Sequence, residues 1–510
     1  MSSIPAQEEI INTPGNMIVC ASAGTGKTYT MVSKIEKEIK ENNTHRVIAA
    51  ITFTIKAAKE IRNRLNVDVT GHFIGTNNSF VIEEIIKPFA KDVYGGEYDI
   101  DMSTDYSIKE ESFSECMERL KNEKIICSYN DNKKNFVFEL AMEIVKQSKA
   151  CRLFLEAKYF KIFVDEYQDC DKDMHTFFMY LCDVLKIDLF VVGDEKQSIY
   201  IWRGAYPEAF ISITKKPNFI VKKLHQNFRS CKNIQNYSNL LDDDTREMYE
   251  KDDNSSIILL KTTSTSWVND VRDYLDASKT IALLRFSNNN AKIGADELSQ
   301  TGIEFIYVPR TPLSEVPPDV SWLFNAIAQY MILSNYSVYD FIEEIPEESI
   351  NDNKVIYFLN KELSAIEKAF QAGDNDKIYI HVREIASYFG YNVIDKNIGQ
   401  MIDTINDETY HPAFRMDELS HVAITFHASK GLEYDQVILF SDDYSLDESK
   451  PKESNGICNH YVAATRAKSK LIIIALQDEG IIWKTEKFMK NLTQIFKKSN
   501  VDVADVLTIV

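Results

Sequence analysis

Apolar residues along the chain follow two spacings: short unbroken runs, and longer stretches repeating about every 3.6 positions. Met17 to Cys20 (MIVC) is an unbroken run that leads into a glycine-bearing turn. The stretch after it places Met31, Val32, Ile35 and Ile39 on one helical face, with Lys34, Lys37 and Glu38 expected opposite. Val47 to Ile51 (VIAAI) predicts a second buried strand, and Lys56 to Leu65 a helix with Ala57, Ala58, Ile61 and Leu65 inward. Lys161 to Val164 and Asp188 to Val192 predict two further strands. Alternation of buried strands and amphipathic helices implies a parallel sheet covered on both faces.

Residues 81–150 are polar and helix-like, without runs that predict buried strands, and read as an inserted helical subdomain. From Pro217 the α/β pattern resumes, with Ile281 to Arg285 and Glu304 to Val308 as strands. Thr311 to Phe414 is again mainly helical, broken by Pro312, Pro317, Pro318 and Pro346. Val422 to Thr425, Gln436 to Phe440 and Leu471 to Ala475 predict the last strands. The expected division is lobe 1 from residues 1–80 and 151–216, an insert at 81–150, lobe 2 from 217–310 and 416–510, and a short insert at 311–415.

Composition narrows the class. A chain of 510 residues with 44% hydrophobic and 26% charged residues is an ordinary globular balance for several domains. No apolar run reaches the roughly 18 residues of a membrane helix, and residues 1–11 lack a signal-peptide pattern. The eight cysteines are scattered, without CxxC spacing, as expected of reduced thiols in a soluble cytoplasmic protein. A net charge of −19 argues against a coat held to DNA by bulk charge. Any nucleic-acid path must be local. The densest acidic stretch, Asp242 to Asp253, reads as a solvated loop or helix face.

Chemistry enters at Ala21 to Thr28, which reads ASAGTGKT between a predicted strand and a predicted helix. Ala21, Ser22, Ala23, Gly24, Thr25 and Gly26 would turn backbone N–H groups around phosphate oxygens, aided by the helix N-terminus. Lys27 suits the β- and γ-phosphates of ATP, and the Thr28 hydroxyl suits Mg²⁺. Ala21 stands where the general motif has glycine, and the octapeptide alone also fits a plain strand-turn-helix. Phe163 to Asp169 (FVDEYQD) removes that ambiguity. Acids directly after a buried strand emerge at the carboxyl edge of the sheet, beside the phosphate loop. Asp165 suits the Mg²⁺ shell, and Glu166 suits a base acting on the attacking water.

With these motifs, the chain resembles the UvrD/Rep/PcrA family of superfamily 1 helicases. Thr52 to Leu65 (TFTIKAAKEIRNRL), Val192 to Ala205 (VGDEKQSIYIWRGA), Gln226 to Ser230 (QNFRS), Val422 to Glu433 (VAITFHASKGLE) and Tyr461 to Lys468 (YVAATRAK) match its motifs in order. HFIGTNNSF, KIFVDEYQD and FVVGDEKQSIYIWRGA are similar in particular to the helicase-like subunits of Gabija anti-phage systems. The resemblance implies two RecA-like P-loop lobes, each with a helical insertion, and ATP bound between them. It also implies that Gln7 reads adenine, Phe228 stacks on it, Gln197 senses the γ-phosphate and Glu433 contacts the sugar-phosphate end. Arg229 and Arg466 would be arginine fingers from lobe 2. Such a finger is worth about 10³–10⁵ in rate, and supplying it across a cleft ties hydrolysis to lobe motion.

The strand would pass residues that the family's motifs aim at DNA. Phe53, Tyr200 and Trp202 are expected stacking platforms, each base being worth about 1–3 kcal/mol. Arg203, His427 and Lys430 are expected to face the strand, and Thr54, Lys56 and Thr76 its phosphates. Ordinary core packing is the competing reading for Phe53 and Tyr200. The resemblance implies 3′-to-5′ movement and a hetero-oligomer with a GajA-like nuclease carrying an ABC-like ATPase and a Toprim domain. Both inserts are short for the family, which leaves two functions open: a motor on single-stranded or end-bearing DNA, or a DNA-end-sensing ATPase subunit that activates the nuclease with little unwinding. A P-loop kinase or GTPase explains neither the later motifs nor the two distant arginines.

Overall fold

The computed structural model describes residues 4–98, 102–201, 204–252, 256–346, 353–450 and 456–510. The first lobe begins with strands β1 (Met17–Ala21), β2 (Val47–Thr52) and β3 (Phe73–Thr76), and its insert adds β4 (Ser103–Glu110) and β5 (Ile125–Tyr129). It is completed by β6 (Tyr159–Val164), β7 (Asp188–Gly193) and β8 (Ile220–Leu224). Its main sheet runs β3-β2-β6-β7-β1-β8, every neighbouring pair parallel. The second lobe has β9 (Ile257–Thr262), β10 (Ile281–Arg285), β11 (Ile306–Tyr307), β12 (His421–Thr425), β13 (Tyr434–Phe440), β14 (Ala467–Leu476) and β15 (Thr508–Ile509). Its order is β11-β12-β10-β13-β14-β9-β15, again all parallel. Two α/β lobes with sheets covered by helices are thus as expected.

The unbroken apolar runs follow from double-sided burial. Along β1, Ile18 joins one core while Met17 and Val19 join the other, and on β2 Ala49 and Ile51 oppose Ile48 and Ala50 in the same way. The second sheet repeats this: Leu259 and Ile473 face one core, Leu260 and Ile474 the other. Among the described residues, the first insert has no core of its own, because Ile86, Leu120, Phe136 and Ile144 continue the Ile18 core. The second insert does, with Trp322, Leu323, Leu359, Val382 and Met401 closing a separate helical cluster.

Several expectations need correction. Lobe 1 does not end at residue 216: β8 pairs with β1, so the crossing to lobe 2 comes after Leu224. This edge strand hides its identity with Lys222 and Lys223, charges that keep an open edge from pairing with other chains. The first insert is not purely helical, since β4 and β5 form a parallel pair. The strand expected over 304–308 is confined to Ile306–Tyr307. Lys34 is not on a solvated face; its side chain is 1% exposed. Its Nζ donates to the carbonyls of Thr13 at 2.7 Å and Ile11 at 3.3 Å, and lies 3.2 Å from Glu38. These bonds tie helix α1 (Pro5–Asn12), which carries Gln7, to helix α2 (Lys27–Glu41), which opens with the phosphate-loop lysine. Among the described residues, no helix is long and apolar enough to cross a membrane.

Candidate active site

The loop between β1 and α2 has its shape because Gly24 and Gly26 adopt φ of +73° and +79°, in the left-handed region. Space is a second constraint. A Cβ on Gly24 would lie 2.3 Å from Asn227 Oδ1 and 2.8 Å from Arg229 Cβ, and one on Gly26 would lie 2.9 Å from Gln7 Nε2. Thr25 Oγ1 donates to the Ser22 carbonyl at 2.8 Å, and the buried Ser22 hydroxyl has no hydrogen-bond partner. Ala21 and Ala23 are buried in the loop's floor. Gln7 is also buried, its Nε2 donating to the Thr25 carbonyl at 3.2 Å, and Phe228 donates its backbone N–H to the Gly24 carbonyl at 2.8 Å. The Phe228 ring is left 46% exposed beside the loop.

Opposite the loop, β6 ends and the chain turns through Glu166 at φ +49°, with Glu166 N–H donating to Asp165 Oδ1 at 2.9 Å. Lys27 Nζ lies 3.4 Å from Glu166 Oε1, and Lys430 Nζ, from the second lobe, 3.6 Å from Oε2. Burial works against the Glu166 charge, yet Lys27 and then Lys430 hold its carboxyl at about 2. Burial first, then Glu166 itself, pushes Asp165 up to about 7. The two acids are therefore unlike: nearby lysines hold Glu166 ionised, while burial and the neighbouring Glu166 charge push Asp165 up. A phosphate chain with a hard divalent cation fits this cradle. Thr28 in the first turn of α2 and Asp165 supply oxygen donors, and the unpartnered Ser22 hydroxyl supplies a further polar group.

The second lobe contributes two guanidinium groups. Arg229 lies on the segment crossing between lobes, which Ser230 Oγ and the Cys231 N–H anchor to the Ala467 and Lys468 carbonyls. Its Nε donates to Glu433 Oε2 at 2.6 Å. Arg466 is 1% exposed; its Nε donates to the Val462 carbonyl at 2.9 Å and its Nη1 to the Leu432 carbonyl at 3.2 Å. Burial, then the positive charge of Arg229, lowers Arg466 to about 10, while Glu166 and Glu433 act in the opposite sense. Arg229 thus reaches the phosphate loop at Gly24 with Glu433 bonded to it, and the charges of Arg229, Glu166 and Glu433 act on Arg466.

Sequence reasoning missed the polar network that orders this cleft. Asp194, at the end of β7, is 2% exposed. Its Oδ2 accepts from Gln197 Nε2 at 2.8 Å and from the Tyr461 hydroxyl at 3.4 Å. Its N–H donates to Gln168 Oε1 at 2.9 Å, and Gln168 Nε2 donates to Glu166. The clue available was position: Asp194, like Asp165, directly follows a buried strand.

The expected DNA contacts divide. Phe53 is half-buried against the lobe 1 core, and Thr54 caps helix α3 (Ile55–Arg64) by accepting from Ala57 N–H at 3.2 Å. Lys56 is exposed on α3. Thr76 is not free for phosphates; it is 4% exposed and its Oγ1 is bonded to Ser79 at 2.8 Å. Lys430, expected to face the strand, is engaged within the protein: it pairs with Asp169 and donates to the Gln197 carbonyl at 3.2 Å. Tyr200 lies under Lys430, 5.0 Å from ring centre to Nζ, and 6.5 Å from the His427 ring. Phe286, not anticipated, is 51% exposed and 6.1 Å from His427. Its signal was an aromatic placed at the very end of the buried run IALLR. Trp202 and Arg203 lie outside the described residues.

The chain is similar to known proteins over most of its length. Residues 6–203 match the family model described as an AAA domain, and residues 401–478 that of the UvrD-like helicase C-terminal domain. The Gabija protein GajB of Bacillus cereus (strain VD045) is 39% identical, across 92% of this chain and 94% of GajB. DNA helicase II of Rickettsia typhi is 23% identical across 93% of this chain and 92% of that protein. The ATP-dependent DNA helicase PcrA of Staphylococcus aureus is 29% identical, across 46% of this chain and 38% of PcrA. The chain belongs to the UvrD-like superfamily 1 helicases and, within them, to the family of the Gabija protein GajB.

Proposed function

We propose that this protein is an ATP-driven motor on single-stranded or end-bearing DNA, working in anti-phage defence with a GajA-like nuclease. The observation that carries the reading is convergence: Lys27 lies 3.4 Å from Glu166 in one lobe, while Arg229 approaches the same loop from the other, its Cβ 2.8 Å from where a Gly24 side chain would begin. Lys27 would neutralise the β- and γ-phosphates, and Gln7 and Phe228 would hold the adenine. Thr28 and Asp165 would hold Mg²⁺, which neutralises phosphate charge when bound. Glu166 would take the proton of the attacking water, with Gln197 and Glu433 lining the nucleotide. Arg229 and Arg466 would stabilise charge developing on the transferred phosphoryl group. Because these arginines sit across the cleft, hydrolysis would require closure, and each cycle would shift one lobe against the other.

Bases would stack among Phe53, Tyr200, Trp202, Phe286 and His427, with Thr54, Lys56 and Arg203 toward the backbone. Movement would run 3′ to 5′, as in the helicases whose motifs the chain shares. ATP turnover stimulated by single-stranded oligonucleotides and abolished by Lys27→Ala is the test. Turnover indifferent to every DNA, alone and with the nuclease, would end the motor reading.

A DNA-end sensor with little unwinding is a second reading, and one observation favours it. The second insert docks on α3 through Lys59 and Glu344 at 2.5 Å, roofing a cavity of about 330 Å³ beside Ile74, Thr76 and Tyr391. A roofed face suits closure around an end better than strand separation. Nuclease activation without strand displacement would select this reading, and strong displacement by the chain alone would reject it.

A further inference from the structure

Tyr461 makes more connections across the cleft than its place in a helix requires. It sits in the helix Ile457–Ala464 of the second lobe and is 3% exposed. Its hydroxyl accepts the backbone N–H of Ala23, in the phosphate loop, at 3.1 Å and faces Asp194 Oδ2 at 3.4 Å. Asp194 is the hub described above: its carboxylate also accepts from Gln197 Nε2 and pairs with Lys196 at 3.0 Å, while its backbone N–H reaches Glu166 through Gln168. At the opposite end of the residue, the Tyr461 carbonyl accepts Thr465 Oγ1 at 2.8 Å, and Thr465 Oγ1 accepts Arg466 Nη2 at 3.3 Å.

We infer that the Tyr461 hydroxyl is a positioning residue for ATP hydrolysis, locking Arg466 of one lobe in register with the phosphate loop and the Asp194 hub of the other. The inference rests on the proposed ATPase reading and adds a part to it. A phenol suits the task because one oxygen both accepts and donates. The loop's N–H fills its acceptor role, leaving its proton for Asp194. Removing the oxygen leaves the ring's packing intact and unpairs Ala23 N–H. It also cuts the only hydroxyl among the described residues that touches both the phosphate loop and Asp194. The position of Arg466 relative to Glu166 and Gln197 would then loosen. A misplacement of about 1 Å in such a site costs about a hundredfold in rate.

The test uses the full chain with ATP, Mg²⁺ and a single-stranded oligonucleotide, with wild type and Lys27→Ala beside Tyr461→Phe. Tyr461→Phe is expected to lower kcat by about ten- to a hundredfold while KM for ATP stays within about threefold. Combined with Gln197→Ala, its loss is expected not to multiply, because both act through Asp194. A kcat within twofold of wild type overturns the inference, as does a double variant whose losses multiply. If Tyr461→Phe does not fold, Asp194→Asn, which keeps the shape of the hub, takes its place under the same two criteria. No turnover by wild type would instead refute the ATPase reading itself.

Discussion

Lys430 of the second lobe lies 3.6 Å from Oε2 of Glu166, on the side of that carboxylate away from Lys27. One acid is thus held between cations from two lobes, and the same Lys430 also covers the Tyr200 ring, 5.0 Å from its centre. The residue stands between the expected DNA-facing aromatics and the hydrolytic centre.

Lys430→Ala therefore separates two roles. We expect kcat for ATP to fall by roughly tenfold or more, because a buried partner of Glu166 and Asp169 is lost. Oligonucleotide affinity is expected to change by less than about threefold. Steady-state ATPase and fluorescence anisotropy measure the pair. A large loss of DNA affinity with unchanged turnover would return Lys430 to the strand.

How far the site was legible depends on how local its signals are. ASAGTGKT and DEYQD each follow an unbroken apolar run, so a strand end announces both, and β1 and β6 confirm the placement. The cleft network sends no such signal, because Tyr461 and Ala23 are 438 positions apart. Lys430 and Thr76 lie in recognisable motifs, but what they touch depends on docking and capping that no spacing encodes. In the fold, most buried central strands were legible, but β9 (IILLKT), central in the second sheet, was not anticipated, whereas the edge strand β11 was anticipated in part. β8 reads IVKKL, two of its five residues charged, and its identity follows only from pairing with β1.

Two glycines test whether the phosphate loop is constrained by conformation or by space. Gly24 and Gly302 both have positive φ, +73° and +87°, but only Gly24 would drive a Cβ into neighbours. Gly302→Ala should cost about 1–2 kcal/mol of stability and leave ATPase unchanged. Gly24→Ala should abolish nucleotide binding, read with a fluorescent ATP analogue. Equal behaviour of the two variants would remove the steric argument.

His460 gives the second lobe an acid limit. It is fully buried beneath Tyr444 and Phe488, its Nε2 bonded to the Tyr237 hydroxyl at 2.6 Å, and burial lowers its pKa to about 3. The unfolded chain takes up this proton below about pH 6.5 while the folded one does not, so stability falls with pH in the window from about 6.5 to 3. At pH 5 the loss is about 2 kcal/mol relative to pH 8. His460→Gln, which keeps an acceptor for Tyr237, should flatten that part of the Tm–pH curve. An unchanged slope would mean that His460 is protonated in the fold.

The two arginines should fail differently. Arg229 keeps 20% of its side chain exposed and binds Glu433, so its removal leaves little unpaired. Arg229→Ala is expected to lower kcat by about 10³ with Tm nearly unchanged. Arg466 is packed among the Val462 and Leu432 carbonyls and Thr465, and its loss strands those buried acceptors. Arg466→Ala should lower kcat comparably and also cost about 3 kcal/mol of stability. Thermal melts beside single-turnover ATPase distinguish the two. Turnover by Arg229→Ala within tenfold of wild type would mean that charge supplied across the cleft does not drive hydrolysis, whatever Arg466 then did.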